Sequence, residues 1–114
     1  MAKTLDFSKL NTPVLPLVLM DEARTVVKVS TPSEALIEEL EHELPALEPE
    51  LTKGNKEAIG LCYDLAARLI NHNRSYVRVT ADELRKKYGL ELFHLLAFFE
   101  AYIDFIGEIT NAKN

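Results

Sequence analysis

The side chains that carry chemistry are few in this sequence, and they are dispersed. Its three histidines, His42, His72 and His94, fall in three different stretches, and no HxxxH or CxxC spacing brings two metal ligands onto one face. The single cysteine, Cys62, excludes an internal disulfide and any multi-cysteine metal site. It shares the helical spacing of Ile59, Ala66, Leu69 and Ile70, so its thiol belongs to an apolar face and acts as a small hydrophobe, not as a nucleophile. Glu100 and Asp104 lie one helical turn apart, the geometry for a shared proton or cation. They sit on the polar side of an apolar stretch, however, where a solvated stripe is the simpler account. His94 beside Glu91 makes a surface pair on the same reasoning. Gly54, Gly60, Gly89 and Gly107 stand singly, with no phosphate-cradling loop, GxSxG or GxGxxG among them. The expectation is a protein with no catalytic residues, no metal and no cofactor.

Charge narrows the partners. A net charge of −5 over 114 residues disfavours phosphate neutralisation, the basis of non-specific nucleic-acid binding. The one basic cluster, Arg74, Arg78, Arg85, Lys86 and Lys87, is interrupted by acids and lacks interleaved stacking platforms. No apolar run approaches the length of a bilayer span, and no basic segment followed by an apolar one marks a secretory signal. A cytoplasmic protein without membrane or nucleic-acid partners is expected.

The elements that would position these side chains follow from local pattern. Residues 1–13 form a polar arm, flexible or edge-like, with Leu5, Phe7 and Leu10 as its larger apolar groups. Residues 14–20 and 25–29 are short β-rich runs around a four-residue loop, which predicts a hairpin. Pro16 cannot donate to a ladder and makes the first run an edge strand. Both faces of that run are apolar, so one should lie on helices while the arm or a partner covers the other. Thr31-Pro32-Ser33-Glu34 is a capping box for a first helix through about residue 44, and residues 45–54, holding Pro45 and Pro49, form an acidic linker. A second helix spans residues 55–73. Tyr76 to Val79 alternate and offer a third short strand. Thr80-Ala81-Asp82-Glu83 caps a two-turn helix stopped by Gly89. The sum is an α+β fold, a single domain over residues 14–114, with a hairpin on about four helices.

The last helix, residues 90–111, carries more apolar surface than closure of one core needs. At about 100° per residue its apolar arc is roughly 180° wide, against the usual stripe of about 100°. The arc divides into two seams. One holds Leu92, Leu96, Phe99, Ile103 and Ile106; the other holds Leu95, Phe98, Tyr102, Phe105 and Ile109. The second is the candidate partner-binding face, for a foreign helix or for isologous pairing in a homo-oligomer, unless the chain's own elements fill both.

The order of an apolar hairpin, a capped acidic helix, then YDLAARLINHNR (63–74), VTADELRKKY (79–88) and FFEAYIDFIGEI (98–109) resembles the small tail assembly chaperones of long-tailed bacteriophages and prophages of Gram-positive hosts. The resemblance covers residues 14–114 and rests on packing patterns. It implies a non-enzymatic protein of the host cytoplasm, absent from the mature virion. Such a protein binds the long helical tape-measure protein, keeps it soluble and helps tail-tube subunits assemble around it. It also implies a longer form made by ribosomal frameshifting; Ala112-Lys113-Asn114 can be encoded by a run containing the slippery heptamer A-AAA-AAC. The alternative from another class is a small regulatory or adaptor domain that binds a protein partner.

Overall fold

Alternating leucines and valines build the first element. In the computed structural model, which describes residues 4–7 and 12–111, strands β1 (Val14–Val18) and β2 (Val26–Ser30) form an antiparallel hairpin. The register sets Leu15 against Val29 and Leu17 against Val27, and these residues, with Leu19, turn inward onto the helices. Leu19 N–H donates to the Thr25 carbonyl at 2.8 Å. Successive backbone groups alternate sides, so the nitrogen of Pro16 faces away from β2, where no ladder partner is lost. The turn needs no glycine: Arg24 takes the left-handed conformation (φ 50°). The Asp21 carboxylate closes the loop by accepting from Thr25 N–H at 2.8 Å and from the Thr25 hydroxyl. Those bonds hold the Asp21 pKa below the usual carboxylate value.

The other edge of β2 is covered by the loop after the second helix rather than by a regular third strand. Val29 and Asn73 form one antiparallel bridge. Ser30 N–H donates to His72 O and Arg74 N–H to Lys28 O, both at 2.9 Å. The alternation at Tyr76 to Val79 does not become a strand, because Tyr76 is left-handed (φ 59°) and two asparagine side chains take the place of a ladder. Asn71 donates to Val79 O (2.8 Å) and accepts from Val79 N–H (2.7 Å). Asn73 donates to the Ile70 and Val77 carbonyls at 2.8 Å each.

Helix α1 (Glu34–Thr52) corrects the expected linker at 45–54. Pro45 and Pro49 lie inside it, one turn apart and both exposed, so the hydrogen bonds they forfeit belong to carbonyls that water can reach. Leu40, Leu44, Leu47 and Leu51 continue the inward seam past both prolines, and this burial outweighs the local penalty. The cap also falls two residues later than the Thr31 box: Ser33 accepts from Leu36 N–H at 3.2 Å.

Helix α2 (Lys56–Asn71) is the centre of the molecule, packed against α1, α3, α4 and β2. Asn55 caps it through Glu57 and Ala58 N–H, and Cys62, Leu65, Ala66 and Leu69 are wholly buried. Arg68 binds it to α1, donating in bidentate fashion to Glu43 (2.7 and 3.0 Å) and to Glu39 (2.9 Å). Helix α3 (Ala81–Lys86) has the full capping box, Thr80 with Glu83. Gly89 (φ 63°) then releases the chain into α4 (Leu92–Asn111). The fold is thus α+β, a two-strand hairpin followed by four helices with a long last one. The Leu10 part of the arm and Ala112 to Asn114 lie outside the described residues. Leu5 and Phe7 of the arm are exposed.

Candidate functional site

Two helices that both pack on α2, and not closely on each other, leave a space between them. This is the relation of α1 to α4. The space begins as a cavity of about 340 Å³ bounded by Ile37, Leu40, Pro45 and Ile106. It runs into a second, of about 280 Å³, bounded by Leu96, Phe99 and Asp104. Leu44, Glu48 and Ile103 line both, so the two form one trough. Its floor is apolar. Its rims are carboxylates: Glu41 and Glu48 on α1, Glu100 and Asp104 on α4.

The position of the trough follows from how α4 divides its apolar arc. The helix presents the middle of the arc to the core, not one seam. Leu95, Phe99 and Tyr102 are at most 2% exposed, and Phe105 is also buried. The seam expected to meet a partner is therefore largely internal: Leu95, Tyr102 and Phe105 are buried, while Phe98 and Ile109 are half-buried at its margin. The other seam is split, with Phe99 inside while Leu96 (41%) and Ile103 (48%) stand exposed on the trough. An arc of roughly 180° is wider than the contact one central helix can make, so a flank is left over. That flank is on the α1 side. No pattern within α4 alone selects the flank; α1 running on past Pro45 does, and the signal for it was the Leu40-Leu44-Leu47-Leu51 spacing.

Aromatic contacts fix the core side of α4. The Phe98 and Tyr102 rings lie 5.6 Å apart and those of Tyr102 and Phe105 6.4 Å. The Tyr102 hydroxyl is buried with no hydrogen-bond partner among the described residues, and loss of solvent pushes its pKa up to about 12. Burial likewise raises the Cys62 thiol, which leaves it protonated and inert.

The remaining polar candidates serve the fold. His94 accepts from the Glu91 backbone N–H at 2.9 Å through Nδ1, so it caps α4 instead of pairing with the Glu91 carboxylate. His72 Nε2 lies 3.1 Å from the Thr31 carbonyl. In the basic cluster, Arg78 donates to Asn71 O, the Arg85 guanidinium covers the Tyr63 ring at 4.3 Å and Lys86 pairs with Asp82. Among the described residues no group of three His, Cys, Asp or Glu side chains converges as a metal site. No described helix is long and apolar enough to cross a membrane. The chemistry the molecule offers is an apolar trough between two acidic rims. No protein-family model, no curated protein and no solved structure matches the chain.

Proposed function

We propose that this chain is a tail assembly chaperone that holds the tape-measure protein in soluble form while tail-tube subunits assemble, acting in the host cytoplasm and leaving before the tail is complete. The observation that carries the reading is the exposure of Leu96 and Ile103 on one side of α4, above a trough its own helices do not fill. A tape-measure protein is a long amphipathic helix whose apolar stripe aggregates when bare, and helix-in-groove recognition asks for a rigid apolar surface on a soluble body. The α1–α4 trough supplies such a surface, and the net charge of −5 supplies the solubility. The resemblance of residues 63–74, 79–88 and 98–109 to the chaperone family points the same way.

Co-expression with a tape-measure fragment tests it. Wild-type protein should move the fragment into the soluble fraction, and the double variant L96D/I103D should not, while its circular dichroism stays that of the wild type. A fragment that remains insoluble with the wild type, or that the double variant rescues equally well, overturns the reading. An adaptor role has one observation in its favour, a second apolar patch formed by Val18, Met20 and Val26 on the outer face of the hairpin. An adaptor would lose a partner when that patch is made polar, with rescue of the fragment unchanged.

A further inference from the structure

The rims of the trough carry more information than its floor. Glu41 and Glu48 stand on one wall, Glu100 and Asp104 on the other, and none of the four forms an ion pair with a described residue. Elsewhere this protein does neutralise carboxylates that lie beside its helix contacts: Glu39 and Glu43, on the α2 side of α1, are both held by Arg68. Four unpaired carboxylates facing one apolar channel make an electrostatic frame, not merely a solvated face.

We infer that the α1–α4 trough takes a single amphipathic helix of about three turns whose apolar stripe is flanked on both sides by lysine or arginine. The length follows from the walls: Ile37 to Glu48 on α1 and Leu96 to Ile106 on α4 each run about 16 Å at 1.5 Å per residue. Apolar side chains at i, i+3, i+4 and i+7 of the incoming helix would lie over Leu44, Phe99 and Ile103, and the residues beside that stripe would fall against the rims. A basic residue there meets a carboxylate; an acidic one meets repulsion. The same argument disfavours a second copy as occupant. The exposed flanks of α4 and α1 are themselves acidic, with Glu100, Asp104 and Glu108 on one and Glu34, Glu38, Glu41 and Glu48 on the other. Self-pairing through the trough would set carboxylates against carboxylates.

The inference rests on the chaperone reading only for which protein supplies the helix, so the test uses synthetic probes. Two fluorescent peptides of about 14 residues share one leucine stripe, one flanked by lysines and the other by glutamates. Anisotropy titrations with the wild-type chain should show the lysine-flanked peptide binding about tenfold more tightly or better, as four weak exposed pairs together allow. That preference should shrink as salt is raised from 0.05 to 0.5 M, since surface charges are screened. The variant E41K/E48K/E100K/D104K, altered only at exposed positions, should reverse the preference. E41Q/E48Q/E100Q/D104Q should abolish it with the apolar contribution intact, and it serves if the reversed variant does not fold. Equal binding of both peptides, or binding of neither, overturns the inference. So does a wild-type dimer in sedimentation that L96D/I103D dissolves, because the occupant is then a second copy. Binding of the lysine peptide without rescue of a tape-measure fragment removes the chaperone reading alone. Rescue without charge preference removes this inference alone.

Discussion

Two tyrosines in this core should respond with opposite sign to the same one-atom change. Tyr63 donates its hydroxyl to the Leu90 carbonyl at 2.6 Å, tying α2 to the start of α4. The Tyr102 hydroxyl, in a residue with no exposed surface, has no partner among the described residues. A buried hydroxyl without a hydrogen bond costs about 1–3 kcal/mol relative to water, whereas loss of a satisfied bond removes about 1 kcal/mol and leaves its acceptor orphaned. Tyr102→Phe should therefore raise stability by about 1 kcal/mol, and Tyr63→Phe should lower it by about the same. The alkaline limb gives a second readout. The folded pKa of Tyr102, about 12, exceeds the ordinary 10.0, so between those values the folded state keeps a proton that the unfolded state has released. Stability then falls as pH rises through that window, by about 2–3 kcal/mol if the full shift is expressed. Tyr102→Phe removes this term, and its advantage over wild type should widen above pH 10 while staying constant below. Urea unfolding at pH 7, 9, 10.5 and 11 measures both effects. A Tyr102→Phe protein less stable than wild type at pH 7 would show that the hydroxyl is bonded, and a gap that does not grow with pH would show that it reaches solvent; either result refutes the reasoning.

Other consequences are as direct. The Arg68 guanidinium holds the Glu43 carboxyl below its usual pKa of 4.5, so its stabilisation is complete above that value and is lost as pH falls through the depressed one. Glu43→Gln should cost about 1 kcal/mol at pH 7, a figure kept small by partial exposure, and its acid-unfolding curve should converge with wild type as pH falls through that depressed value. Asn71→Ala removes both bonds to Val79 and should lower the urea midpoint by the equivalent of about 2 kcal/mol; a change under a few tenths would mean that the loop is held by its apolar residues alone. Replacing Pro45 and Pro49 with alanine restores two helical amides on an exposed face and should raise the melting temperature, with the gain reduced by a looser unfolded chain; a lower melting temperature would count against the helical path of residues 45–52. Phe105→Asp should unfold the protein, whereas Ile103→Asp, one helical face away, should leave its circular dichroism and melting midpoint nearly unchanged.

Where local chemistry decided the outcome, the sequence could be read directly. Two β-rich runs around a four-residue loop made the hairpin, Thr80 and Glu83 made a cap, Asn55 opened α2 and Gly89 ended the two-turn helix. The errors arose where a distant element outvoted a local signal. Two prolines argued for a linker, and four leucines seated on α2 kept residues 45–52 helical. Tyr76 to Val79 alternated like a strand, yet the amide groups of Asn71 and Asn73 took up the backbone bonds a neighbouring strand would have needed. The excess apolar surface of α4 was legible in its arc; which flank remained outside was not, because that depends on where α1 lies across α2. The trough drew on the first and last of these features, since Pro45 and Glu48 on its α1 wall come from the residues expected to form a linker.

The edge proline of the hairpin has a consequence for the company this protein can keep. An open strand edge recruits extended segments by backbone pairing, whatever their sequence. Here Pro16 presents no N–H on the open side of β1, and the asparagine-braced loop occupies the far side of β2. An extended segment therefore finds little backbone to zip onto, and the α1–α4 trough is walled by side chains rather than by a row of open backbone groups. On the proposed chaperone reading, the fold discriminates among clients by conformation before it reads any side chain, favouring those that arrive wound.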